Sequence, residues 1–305
     1  MAAILPPKYD EVFKMLFGDE QNTELLIGFL RAVLPLPDDD YEELILKNPF
    51  LPSEILNDKN SILDVLAQTK SGRQIDIEIQ VANHAALKSR ILYYLLRLFT
   101  RQIGEGDAYH LLKPVIGIVI TDFVWIADSV VYHNAYRLHD PESGSVFSDD
   151  LSLHTLELPK VGKEDEHTEL WAWLEFLKAK NEEELEMLAK EHPAVQPAVK
   201  KLIRLSESEQ ARAIFEAREK ARRDALSWQY EAEMQAERLA KMREAQGRKE
   251  GREEGREEGR EEGREEGRNE EKQAIARKML ELGMPVEQVM LATGLSREMV
   301  LEAKD

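Results

Sequence analysis

Apolar positions along the chain change period several times, and the changes mark its elements. Phe13, Leu16, Phe17, Leu25, Leu26, Phe29 and Leu30 recur at helical spacing across residues 8–34, around a break at Gly18. Asp38-Asp39-Asp40 and the prolines at 35, 37, 49 and 52 mark loops. Two β-rich runs follow, Ile62-Leu63-Asp64-Val65-Leu66 and Gln74 to Val81, separated by a turn containing Gly72. Ile75, Ile77, Ile79 and Val81 alternate onto one face of the second run, and Asp76, Glu78 and Gln80 onto the other. Asn83 to Gln102 reads as an amphipathic helix with Leu87, Ile91, Leu95 and Leu98 as its apolar stripe. Beside that stripe Arg90, Tyr94, Arg97 and Arg101 follow one another at i, i+4, i+7 and i+11. Val115 to Thr121 is a near-continuous apolar strand, as a buried position in a mixed sheet requires. Tyr132–Leu138 and Leu151–Leu158 read as further strands around a turn at Pro141–Gly144.

The hairpin carries acids where a sheet would not choose them. With Lys70-Ser71-Gly72 as the loop and Gly72 left-handed, Thr69 pairs with Arg73. Asp64 then lies directly across from Glu78, and like charges in that relation are destabilising. A bound divalent cation would turn the liability into a site. A four-residue loop would instead put Asp64 on the opposite face, and the plain alternative is a hairpin with one wet face.

From Thr168 onward the pattern is helical. Trp171, Trp173, Leu174 and Phe176 read as core, and Ser206 to Gln246 as one or two long charged helices. Glycine then recurs every fourth residue at 247, 251, 255, 259, 263 and 267. Glu253 and Arg256 at i, i+3 support a helix weakly, whereas six glycines oppose it by ~1 kcal/mol each. The tract therefore reads as a solvated, extensible spacer, with close approach of two helices along a glycine stripe as the alternative. Glu271 to Asp305 holds a helix to Leu282, a stop at Gly283, and a short pair, Pro285–Leu291 and Ser296–Lys304. Its turn, Thr293-Gly294-Leu295 with Ser296 as N-cap, resembles a helix-turn-helix. Glu298 and Glu302 against Arg297 and Lys304 favour a small helical hairpin for self-association instead. The pattern divides the chain into a head (1–165), a helical extension (166–246), a Glu-Gly-Arg spacer (247–268) and a C-terminal helical segment (269–305).

Composition narrows the class. Zero cysteines exclude disulfides and thiolate zinc sites. No run reaches the ~18 apolar residues of a membrane span, and the first ten residues carry no secretory pattern, so a cytoplasmic location is expected. The net charge of −18 opposes broad nucleic-acid affinity. It is evenly spread: 15 basic and 24 acidic residues in 1–163, 26 and 35 in 164–305, so each part carries −9. One window departs from it. Between Ile79 and Gly104 there is no acid, yet Lys88, Arg90, Arg97 and Arg101 fall there.

Asp64, then Glu78-Ile79-Gln80, then Arg90-Ile91-Leu92-Tyr93-Tyr94, resembles the PD-(D/E)XK nuclease family transposases, also called the recombination-promoting nuclease (Rpn) family. Tyr9 to Gly18, Pro114 to Asp122 and His154 to Lys160 are similar to blocks of that family, in order, so the likeness covers about residues 8–160. It implies an α/β fold with a restriction-endonuclease-like mixed-sheet core, here with a long helical, low-complexity C-terminal extension. It also implies a metal-dependent DNA endonuclease: Asp64 and Glu78 as carboxylate ligands of Mg2+ or Mn2+, the Ile79 carbonyl as a third oxygen, and Arg90, Tyr94, Arg97 and Arg101 on DNA phosphates. The wider superfamily has a lysine two residues after the Glu; here that position is Gln80, whose amide orients water or offers an oxygen but carries no charge. Asp10 or Glu11 is a candidate accessory acid. Phosphate-loop, dinucleotide and zincin motifs are absent, and the seven histidines lie apart in sequence. Two readings compete: a non-catalytic DNA- or protein-binding member of the fold that self-associates through its helical tail, and a coiled-coil scaffold.

Overall fold

The computed structural model describes residues 3–21, 23–51, 61–162 and 167–303. Pro52, the boundary at 165/166 and the end of the last expected helix at Lys304 lie outside them. The chain forms two compact units, residues 1–222 and 223–305.

The first unit is built on a mixed sheet of six strands: β1 (Ile45–Lys47), β4 (Val65–Gln68), β5 (Gln74–Gln80), β6 (Val115–Thr121), β8 (Val146–Glu157) and β7 (His133–His139), in that spatial order. β1, β4 and β5 are antiparallel neighbours, β5, β6 and β8 run parallel, and β7 returns antiparallel along β8. β2 (Phe50–Leu51) and β3 (Ser61–Ile62) pair in a separate two-stranded ladder. Ile62 therefore leaves the hairpin strand in which its apolar run suggested it. The physical reason is local: the Leu63 amide donates to the Pro49 carbonyl (3.0 Å), which ties the chain to the neighbouring segment before β4 begins.

Helices cover both faces, which is why all seven residues of β6 are buried. On one face lies α4 (Leu87–Thr100), the crossover between parallel β5 and β6; it starts four residues later than the pattern suggested. Its Leu87, Ile91, Leu95 and Leu98 pack with Leu66, Val115 and Val119. A Cβ at Gly117 would lie 2.7 Å from Leu95, so this glycine lets α4 sit closer to β6 than any side chain would allow. Ile75, Ile77, Ile79, Ile118 and Ile120 face the larger core. There α1 (Asp10–Phe17) and α2 (Glu24–Val33) meet α5 (Glu169–Lys178), α6 (Glu182–Glu191) and α7 (Gln196–Glu207). Trp173 is wholly buried against Phe17 and Phe29. These later helices, which the sequence pattern assigned to an extension, share the core of the head.

Two further expectations change. The triple aspartate opens a short helix, α3 (Asp38–Glu42), instead of a loop. Acids at a helix N-terminus suit its dipole, and buried Asp40 accepts from the Ser71 amide and pairs with Arg73. The glycine tract lies within one unbroken helix, α8 (Glu209–Glu281), rather than a spacer without structure. Side-chain pairs one turn apart reinforce it, Arg248 with Glu244 (2.6 Å) and Gln246 with Glu250 (2.8 Å).

In the second unit, the end of α8, α9 (Val286–Thr293) and α10 (Arg297–Glu302) close a small core of Ala276, Val289, Leu295 and Val300. Gly283 and Gly294 have positive φ at the two helix ends, and the Ser296 hydroxyl accepts from the Met299 amide.

Candidate active site

The turn fixes the site. Gly72 has φ +91°, its amide donates to the Thr69 carbonyl (2.9 Å), and the Thr69 amide donates to the Arg73 carbonyl (2.9 Å). β4 and β5 continue that register through Val65 opposite Ile77. One further step sets Asp64 opposite Glu78. The two are tied together: the Asp64 amide donates to Glu78 Oε1 (3.2 Å), and the Ile79 amide donates to Asp64 Oδ2 (2.9 Å).

Both acids line a cleft of about 380 Å³ shared with Asp10, Lys14, Ile79, Gln80, Arg90, Tyr94 and Arg218. Asp64 and Glu78 are buried. Burial first, then the charges of Asp64 and Asp76, push the Glu78 carboxyl well above its ordinary range, with Arg90 opposing. Burial also raises Asp64, although Lys14 lies 2.8 Å from its Oδ1. Asp76, next on the same face, is raised well above the usual range by burial and by Asp64. Burial and the neighbouring acids make ionisation of this cluster costly.

Gln80 is held at both ends. Its Nε2 donates to Glu78 Oε2 (3.2 Å), and its Oε1 accepts from Arg90 (2.7 Å). Arg90 and Tyr94 reach the cleft because they stand one helix turn apart at the start of α4. Arg97 and Arg101 do not line it. They lie ~10 Å and more farther along the axis, and Arg97 is buried with its guanidinium bonded to the Tyr93 hydroxyl (3.0 Å). Of the two accessory acids, Asp10 lines the cleft. Burial alone would raise its carboxyl, but a hydrogen bond from Glu11, Lys14 and Arg222 together hold it below the ordinary range. Glu11 turns away into a bidentate pair with Arg222 (2.9 and 3.0 Å), whose guanidinium also stacks on Tyr9.

Two cleft residues escaped the sequence reading, Lys14 and Arg218. Lys14 stands within the family-like block Tyr9 to Gly18 and is its one cation; nothing in the sequence signals Arg218. The histidines, apart in sequence, do not all stay apart: His133 Nε2 lies 2.9 Å from His154 Nδ1 across β7 and β8.

Among the described residues no group of three His, Asp or Glu side chains is placed to hold a metal ion. Two clustered acids of raised pKa, with a backbone edge beside them, nevertheless suit a hard cation that keeps much of its water, as Mg2+ does. No described helix is long and apolar enough to cross a membrane.

No curated protein and no solved structure matches the chain. Residues 269–302 match the Rpn/YhgA-like nuclease family, C-terminal HTH domain. The helix-turn-helix likeness of that segment, set aside in the sequence reading for a self-association hairpin, is thus the better description. Residues 7–232, well over half of the chain, match the PD-(D/E)XK nuclease family transposase model, and the chain accordingly belongs to that family.

Proposed function

We propose that this chain is a DNA endonuclease dependent on Mg2+ or Mn2+, with Asp64 and Glu78 as its metal-binding carboxylates. The observation that carries the reading is the pair itself: two acids directly opposed across a hairpin and buried in one cleft, where burial raises both carboxyls and the charge of Asp64 raises Glu78 further. The Ile79 amide faces Asp64, and its carbonyl lies along the same strand edge, where it offers a third oxygen. A divalent ion here would polarise the scissile phosphate and lower the pKa of a water. The chain's own residues do the rest. Gln80, clamped between Glu78 and Arg90, orients the attacking water by its amide. Arg90 and Tyr94 bind phosphate oxygens, which positions the backbone without reading sequence. The C-terminal helix-turn-helix match supports a second DNA contact made by residues 269–302.

The test is nicking of supercoiled plasmid by pure protein with Mg2+ or Mn2+. Asp64→Ala and Glu78→Ala should each abolish cleavage. Thermal melting should show no loss or a gain, because removing one of two opposed acids relieves repulsion. Nicking retained by both variants would move the chemistry elsewhere. Wild-type protein that binds DNA but never cuts it would favour the non-catalytic, self-associating alternative.

A further inference from the structure

The nuclease reading leaves position 80 without a charge. Gln80 is neutral, and both ends of its amide are engaged, with Glu78 and with Arg90. Hydrolysis still places growing negative charge on the phosphate, and a cation beside the attacking water would stabilise it. Three cations line the cleft: Arg90, Arg218 and Lys14. Arg90 donates to Gln80 Oε1 and, in the reading above, serves the phosphate backbone rather than the attacking water. A guanidinium is a planar fork, whereas an ammonium is a compact charge with three rotatable donors.

Lys14 is the ammonium of the cleft. It projects from α1, its Nζ lies 2.8 Å from Asp64 Oδ1 and 4.0 Å from Asp10 Oδ2, and its side chain is one-third exposed. Asp10 and Asp64 hold it where a positive charge and a metal ligand meet. Resting on the nuclease reading above, we propose that Lys14 is a catalytic residue: it supplies from α1 the cation that Gln80 does not provide from β5. The substrate it serves is a phosphodiester. Lys14 acts as a charge and hydrogen-bond donor and passes no proton to the reaction. It hydrogen-bonds the attacking water and a non-bridging phosphate oxygen while the water oxygen bonds to phosphorus and the phosphorus–ester oxygen bond breaks. The water gives one proton to solvent and the leaving oxygen takes one up, so diester and water become a monoester and a free hydroxyl.

A purely structural Lys14, present only to neutralise Asp64, makes different forecasts. Lys14→Ala should lower the single-turnover nicking rate about 100-fold, the scale of losing one preorganised charge donor. Mn2+ binding to the free protein, followed by electron paramagnetic resonance, should be as tight as in the wild type or tighter, because the competing ammonium has left Asp64. Gln80→Lys added to Lys14→Ala should restore the rate at least tenfold. If Lys14→Ala does not fold, Lys14→Met, which keeps the aliphatic stem, carries the same comparison. An active wild type with an unimpaired Lys14 variant overturns the assignment. So does a tenfold weakening of Mn2+ binding, which would make Lys14 a support for the acids, or a double variant as slow as the single one. A wild type inert with both metals overturns the nuclease reading itself, and this assignment with it.

Discussion

Asp76 is 2% exposed, and its Oδ1 meets no donor among the described residues. A buried carboxylate without its hydrogen bonds costs stability, so Asp76→Asn should stabilise the fold by about 1–3 kcal/mol, read from denaturant melts. A lower stability would mean that the carboxylate has a partner in solution. His154 works in the other direction. Burial, aided by His133 and Arg137, depresses its pKa from 6.5 to about 4. The unfolded chain therefore takes up this proton between pH 6.5 and 4 while the folded chain does not. The neutral imidazole's contribution to stability is complete above about pH 6.5 and is lost as pH falls toward 4. His154→Gln should shrink the loss of stability between pH 7.5 and 5 by about 1–2 kcal/mol; an unchanged difference would show that His154 titrates normally. At this scale the sequence exposed what one turn determines. Counting back from Gly72 opposes Asp64 to Glu78, because strand pairing is local. The contacts of Lys14 with Asp64 and of His133 with His154 join separate elements, and no spacing encodes them.

α4 is legible because burial of one face imposes its apolar period, and β6 because burial of both faces makes its run continuously apolar. Residue-by-residue propensity argues against a helix in the glycine tract, yet α8 runs through it unbroken, and side-chain pairs one turn apart brace the helix before the tract and at its start. Propensity should still govern its strength. A Cβ at each of the six tract glycines would meet nothing within 4 Å. Gly→Ala at 251, 255, 259 and 263 should therefore stabilise the helix by about 1 kcal/mol per site, seen as higher helical ellipticity at elevated temperature. No change would mean that the tract is not helical in solution. Periodicity predicts the basic stripe on α4 but not its reach: neighbours on a helical wheel can lie far apart along the axis, and of the four residues Arg90 and Tyr94 line the cleft.

For the molecule as a whole, the boundary drawn near residue 165 followed a change in composition, while packing follows apolar surface. Trp173, Phe176, Leu185 and Leu202 belong to the same core as Ile77 and Ile118. A fragment of residues 1–165 should accordingly bind a hydrophobic dye and lack a cooperative melting transition, whereas residues 1–222 should melt as one unit by calorimetry. A cooperative 1–165 fragment would restore the earlier boundary.

The Arg222–Glu11 clamp joins residues 211 apart in sequence, and the chain start is tied in similarly. The Leu5 amide donates to the Ser206 hydroxyl (2.9 Å), and Arg212 donates to the Ala3 carbonyl (2.7 Å). At ~5–20 residues per second, a ribosome releases Arg222 roughly 10–40 s after Glu11. During that interval α1, with Lys14 and Asp10, has emerged without the segment that fastens it. Birth order thus separates the two parts of the cleft: the acids of the hairpin emerge well before the segment that anchors the helix beside them, and the cleft's last member, Arg218, emerges only just ahead of Arg222.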